Sequence, residues 1–219
     1  MYIGHYAVSI ALKEKFKPIP LWLLFASVQF MDLLAFALIA LGIEKIHYSE
    51  NRNPFYRNVM DYLAYSHSLF FDLLFALIVF LAFWKFKNKL WGLVLAAGLL
   101  SHWLIDSLFL KSNLPLFFYR YTVGLGLWDY PMFSYSIEII LVSISGYFLF
   151  KNKNLKFNRP LFLALILSML AFFTFLIFAP EPLIMQASPK LTALVLLSTY
   201  LAFEIIAYLL EWKKDKGTA

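Results

Sequence analysis

Leu90–Leu110, LWGLVLAAGLLSHWLIDSLFL, is an apolar run that carries His102 and Asp106 among leucines and aromatic residues. At about 1.5 Å per residue, a run of this length crosses a hydrocarbon layer of about 30 Å as one helix. A charged side chain at the centre of that layer costs roughly 2.5–3.5 kcal/mol on insertion scales, so intramembrane His and Asp turn toward the protein interior and toward each other. Residues four apart share a helix face. The His102 imidazole and the Asp106 carboxylate can therefore ligate one ion or hydrogen-bond each other. The plainer role for such a pair is to bridge two helices.

Working outward, the chain parses into further apolar runs at Ile19–Ile43, Tyr62–Trp84, Val123–Phe150, Pro160–Pro180 and Leu191–Leu210, which makes six predicted spans in all. Tyr2–Phe16 repeats apolar residues at helical spacing but is too short to cross, and is expected to be an amphipathic or half-inserted helix. Its lysines follow the apolar part instead of preceding it, which argues against a cleavable signal peptide. With 62% hydrophobic and 15% charged residues, the composition lies outside that of soluble domains. The expected fold is all-α: a polytopic membrane helix bundle of six transmembrane helices plus the short N-terminal helix. It forms a single integral membrane domain over 1–219, with 1–17 the N-terminal helix, 18–150 the metal-site helices and 151–219 two further spans.

The net charge of +6 sits in short runs between the spans, where topology accounts for it. Placing Lys13, Lys15 and Lys17 in the cytoplasm puts the basic runs around Lys87, Lys151–Arg159 and Lys213–Lys216 there as well. Lys45, Arg52, Arg57, Lys111, Arg120 and Lys190 are then left outside. That asymmetry follows the positive-inside rule and predicts a multi-pass plasma-membrane protein with a cytoplasmic C-terminus. No basic stripe with interleaved aromatics appears, so no nucleic-acid partner is expected. Cysteine is absent. Any metal must be held by nitrogen and oxygen.

Counted up each predicted helix from its basic end, Asp32, His102 and Glu138 lie at roughly 18 Å, Asp106 at about 24 Å and His67 at about 25 Å. His5 reaches only about 12 Å. Asp32 falls on one helix face with Gln29, and no base lies within a turn to neutralise it. In Tyr65-Ser66-His67-Ser68 an imidazole is flanked by two hydroxyls that can orient it. Asp72 points about 140° away from His67 on an ideal helix. Asp129, just before Pro131, reads as a helix cap. Glu138 can ligate, act as a general base or pair with a histidine.

Gly4-His5, Asp32, Ser66-His67-Ser68 and His102 with Asp106, in that order, resemble the membrane-bound, metal-dependent hydrolase family of bacteria and archaea. That family is linked by motif to zinc-dependent phospholipase C. Trp128, Pro131 and Glu138 are similar to a later element of such proteins, and the resemblance covers roughly the first half of the chain. This sequence has Met31-Asp32 where the family has Pro-Asp, and Tyr62-Leu63 where it has His-Arg. The latter change removes one possible ligand and one cation able to grip an anionic substrate. The resemblance implies one or two divalent ions on His5, Asp32, His67, His102 and Asp106. Such donors suit zinc, and manganese or iron acceptably. Glu138 or Asp72 would move a proton, and the substrate would be a phosphoester or ester of a membrane lipid or lipid-linked molecule. An ion or proton transporter, a haem protein with two axial histidines, and a scaffold with interhelical hydrogen bonds are the alternatives from other classes.

Overall fold

The computed structural model describes residues 1–49, 53–118, 120–178 and 188–212, leaving Arg52, Lys213, Lys214, Lys216 and the Pro180 end of the fifth predicted span outside the described residues. Among the described residues eight helices run in the order α1 (Gly4–Lys15), α2 (Leu21–Val28), α3 (Phe30–Ala40), α4 (Leu69–Phe86), α5 (Lys89–Phe109), α6 (Pro131–Lys151), α7 (Arg159–Phe178) and α8 (Pro189–Trp212). Two antiparallel hairpins, β1 (Lys45–Tyr48) with β2 (Asn58–Tyr62) and β3 (Lys111–Phe117) with β4 (Arg120–Leu125), complete the chain. The fold is an all-α bundle. Among the described residues five helices, α4 to α8, are long and apolar enough to cross a membrane, and α2 with α3, bent by 59°, makes a sixth where the pair is taken as one broken span.

The bend falls at Gln29, which sits at φ −91°, ψ 5° between the two helices. There is no proline or glycine there. Instead His102 Nδ1 donates to the carbonyl of Val28 at 2.8 Å, and a side chain that captures a helix carbonyl in this way interrupts the ladder. The expected continuous span over Ile19–Ile43 is corrected accordingly. Two other spans start later than expected. Tyr62 lies in β2 and helix α4 begins only at Leu69, so His67 occupies a turn and not a helix. Val123 lies in β4, and α6 begins at Pro131. Apolar residues just outside a span are indistinguishable by hydropathy from residues inside it, so the ends of β2 and β4, at Tyr62 and Val123–Leu125, fall within the predicted spans.

Helix α3 stops at Gly42, whose φ of +76° lets the Gly42 and Ile43 amides bond back to the Ile39 and Leu38 carbonyls. This tight stop turns Glu44 back beneath the following hairpin. Helix α1 does not lie on a surface. His5, Tyr6, Ser9, Ile10 and Lys13 are buried, and the helix packs against α2, α5 and α6. The half-inserted expectation is therefore corrected to insertion among the other helices. Helix α4 lies at the other extreme, presenting exposed Leu73, Leu77, Ile78 and Leu81 to the surroundings, as a lipid-facing helix does. Both hairpins cap the same end of the bundle. The opposite end is closed by buried Lys13, which donates to the carbonyls of Lys17 and Ile19 at 2.9 Å and pairs with Glu211 at 2.6 Å.

Candidate metal centre

Four elements bring five of the expected residues together just beneath the hairpin end. Asp32 stands in the first turn of α3, His102 and Asp106 lie one turn apart near the end of α5, His67 lies in the turn before α4, and His5 is in the first turn of α1. All five are buried. His67 Nε2 lies 3.4 Å from Asp32 Oδ1 and 3.7 Å from Asp106 Oδ2, and His102 Nε2 lies 3.6 and 3.4 Å from the same two atoms. His5 Nε2 approaches Asp106 Oδ1 at 3.1 Å, and its ring stacks on that of His102 with centroids 3.8 Å apart. The Met1 amine also contacts Asp106 Oδ1.

The proton positions on the two central histidines follow from their other neighbours. The Val28 carbonyl can only accept, so His102 Nδ1 carries a hydrogen. Ser66 Oγ gives its single hydrogen to Glu44 Oε2 at 2.6 Å and therefore accepts from His67 Nδ1 at 2.9 Å. In a neutral ring each Nε2 then presents a lone pair, and each faces two carboxylate oxygens. Neither Nε2 has a hydrogen-bond partner among the described residues. An imidazolium would close to the usual N–H···O length of about 2.7–3.2 Å, which none of these four separations reaches. Metal bonds of about 2.0–2.2 Å in a tetrahedral set place neighbouring ligand atoms about 3.3–3.6 Å apart, close to what is observed. Asp32, His67 and His102 offer ligand atoms all within 4.8 Å of one another, as do His5, His102 and Asp106. This donor set can bind a divalent metal ion.

The second shell of His67 is more elaborate than its sequence suggested. Glu44, fully buried, accepts from the amides of Tyr65 and Ser66 at 2.8 and 2.9 Å through Oε1, while Oε2 takes the Ser66 hydroxyl. Trp103 Nε1 donates to the His67 carbonyl at 3.1 Å. These contacts fix the turn that presents the imidazole. Glu44 was not among the residues singled out from sequence. It lies beyond an apolar run beside Lys45, where an acid needs no partner to be tolerated.

The two proposed proton carriers sit apart from the four-atom cluster. Glu138 Oε2 accepts from the amides of Tyr2 and Gly4 at 3.0 and 2.9 Å, holding the unsatisfied first turn of α1, and Oε1 has no hydrogen-bond partner among the described residues. A Cβ on Gly4 would lie 3.3 Å from Glu138 Cγ and would need the flexible end of the Met1 side chain to move aside. Asp72, in the first turn of α4, is buried with neither oxygen hydrogen-bonded among the described residues. Because His67 is not helical, the 140° separation expected between the two does not apply. Asp129 caps nothing: its carboxylate accepts from Tyr56 at 2.9 Å and pairs with Lys111 at 3.2 Å.

A small cavity of about 50 Å³ opens beside the cluster, reaching Asp32, His67 and Asp106 and otherwise lined by apolar and aromatic side chains, among them Phe36, Ile39, Leu63 and Tyr200. Tyr2, Phe55 and Trp128 stack above it, with the Trp128 ring 5.7 Å from Tyr2 and 5.3 Å from Phe55. Among the ligand carboxylates, Asp32 is the more accessible, 11% exposed against 3% for Asp106, which marks its side as the open one. Compared with protein-family models, with curated proteins and with solved structures, the chain matches none.

Proposed function

We propose that this chain is a membrane-embedded, metal-dependent hydrolase of a phosphoester or ester in a membrane lipid or lipid-linked substrate. The supporting observation is the convergence of Nε2 of His67 and of His102, neither hydrogen-bonded among the described residues, on oxygens of two buried carboxylates, Asp32 and Asp106. A divalent ion held there, zinc by the nitrogen and oxygen donor set, supplies Lewis acidity and lowers the pKa of water to about 7. The chain's own residues do the rest. Glu44, Ser66 and the Val28 carbonyl keep both rings in the tautomer that leaves Nε2 bare. Asp32, on the open side, borders the space a scissile group would enter. The apolar walls of the cavity exclude water from the groups they face. Glu138 and Asp72 each retain an oxygen without a partner, and either can take up a proton. The plasma membrane, with the C-terminus in the cytoplasm, is the setting that the basic residues favour.

Elemental analysis of detergent-purified protein beside His67→Ala and His102→Ala tests the centre. The parent is expected to hold metal in stoichiometric amount and both variants to lose it. Metal retained by both variants overturns the assignment of ligands. Metal-loaded parent that turns over neither phosphoesters nor lipid esters overturns the hydrolase and leaves a metal-binding membrane protein.

A further inference from the structure

The cavity at the metal centre shares part of its wall with a second cavity. Ile39 of α3 and Ile46 of β1 line it on one side and line a second, wider cleft of about 540 Å³ on the other. That cleft lies between the end of α3, β1 and the start of α8, at the hairpin end of the bundle. Its rim carries Lys45 and Lys190, both exposed, and neither forms an ion pair among the described residues. Glu44 also borders the cleft, but its two oxygens are turned inward to Tyr65 and Ser66. Two cations at the surface and Asp32 thus lie on opposite sides of these two aliphatic side chains.

The cluster itself does little to attract an anion. The carboxylates of Asp32 and Asp106 offset a divalent charge, and the Met1 amine is turned to Asp106. Attraction for a negatively charged substrate has to come from groups outside the ligands, and Lys45 and Lys190 are the cations so placed. Resting on the hydrolase reading above, we propose that this cleft is the substrate's way in, and that it selects an amphiphile bearing a phosphate: the anionic group is held by Lys45 and Lys190 while the apolar part enters past Ile39 and Ile46.

The test uses binding, so that it does not depend on turnover. Zinc-loaded full-length protein in nanodiscs of zwitterionic lipid is titrated with dodecyl phosphate, with dodecylphosphocholine and with inorganic phosphate. Dodecyl phosphate is expected to bind most tightly, with an affinity that falls as salt rises. The double substitution K45Q/K190Q is expected to weaken it about tenfold or more and to remove the salt dependence, leaving metal content unchanged. Ile39→Trp, which blocks the way in, is expected to abolish binding of the amphiphile while sparing the metal. The proposal is overturned if dodecyl phosphate fails to bind or binds equally to the lysine variant. It is also overturned if dodecylphosphocholine matches it, or if inorganic phosphate displaces it at equal concentration. Protein that binds as expected but hydrolyses nothing would remove the enzyme and keep the cleft.

Discussion

Glu44 touches no ligand atom of the cluster, yet it sets the hydrogen on His67. Changing it to glutamine substitutes an NH₂ donor for one carboxylate oxygen. Where that donor faces Ser66, the hydroxyl turns its own hydrogen toward Nδ1, and the ring must carry its proton on Nε2 in place of the lone pair. Outer-shell partners of this kind are worth about 10–100-fold in metal affinity. Glu44→Gln and Ser66→Ala are each expected to weaken zinc binding within that range in a competition titration with a chelator. The double variant is expected to be no worse than the poorer single one, because the two act through one hydrogen-bonded chain. At this scale the ligands were legible because each ionisable group inside an apolar run is anomalous. His5, Asp32, His67, His102 and Asp106 stand out for that reason and do meet. Glu44, the Val28 carbonyl and the Met1 amine carry no such mark, since a surface-flanking acid and main-chain atoms look the same wherever they lie.

Among the elements, α5 approaches α4 where a side chain is missing: a Cβ on Gly92 would lie 2.5 Å from the Phe80 carbonyl oxygen and 3.2 Å from the Trp84 amide nitrogen. Gly92→Ala forces the two helices apart, with an expected cost of about 1–3 kcal/mol seen as a lower midpoint of thermal unfolding in detergent. At the end of α1 away from the hairpins, Lys13→Met leaves Glu211 with its ion-pair partner removed. Breaking a buried ion pair in this way costs about 3–5 kcal/mol, and the partly exposed Glu211 places this case at the low end, read by the same melt. On the hairpin side, the Tyr56 hydroxyl and Lys111 hold the Asp129 carboxyl below the ordinary carboxylate range. A depressed folded value stabilises above the unfolded pKa and is lost as pH falls through the folded one. Acid titration of Asp129→Asn is therefore expected to lack a small destabilising limb that the parent shows below pH about 4. The number of spans was legible from hydropathy. The bend in the first of them was not, because its cause is an imidazole some seventy residues further along the chain.

For the whole molecule, the two ends of the bundle are secured by different means. One end is fastened by Lys13 and Glu211, while beneath the hairpins four elements converge on a cluster of imidazoles and carboxylates that could hold a metal ion. An ion bound only by the folded chain stabilises by about 4 kcal/mol at a thousandfold excess over its dissociation constant. Chelation is expected to lower the unfolding midpoint of the parent and leave that of His102→Ala where it is. The all-α architecture followed from composition and run length alone. The caps did not, since short hairpins at the ends of apolar runs leave no periodic trace.

His102 grips the main chain at Val28 through one nitrogen and turns the other to the carboxylates of Asp32 and Asp106. A cation taken up at that second nitrogen would act on the ring that holds the bend at Gln29, tying occupancy of the site to the junction of α2 and α3. Amide deuteration around residues 28–33 would slow when zinc is added and quicken when it is stripped, making the backbone itself the gauge of whether the site is filled.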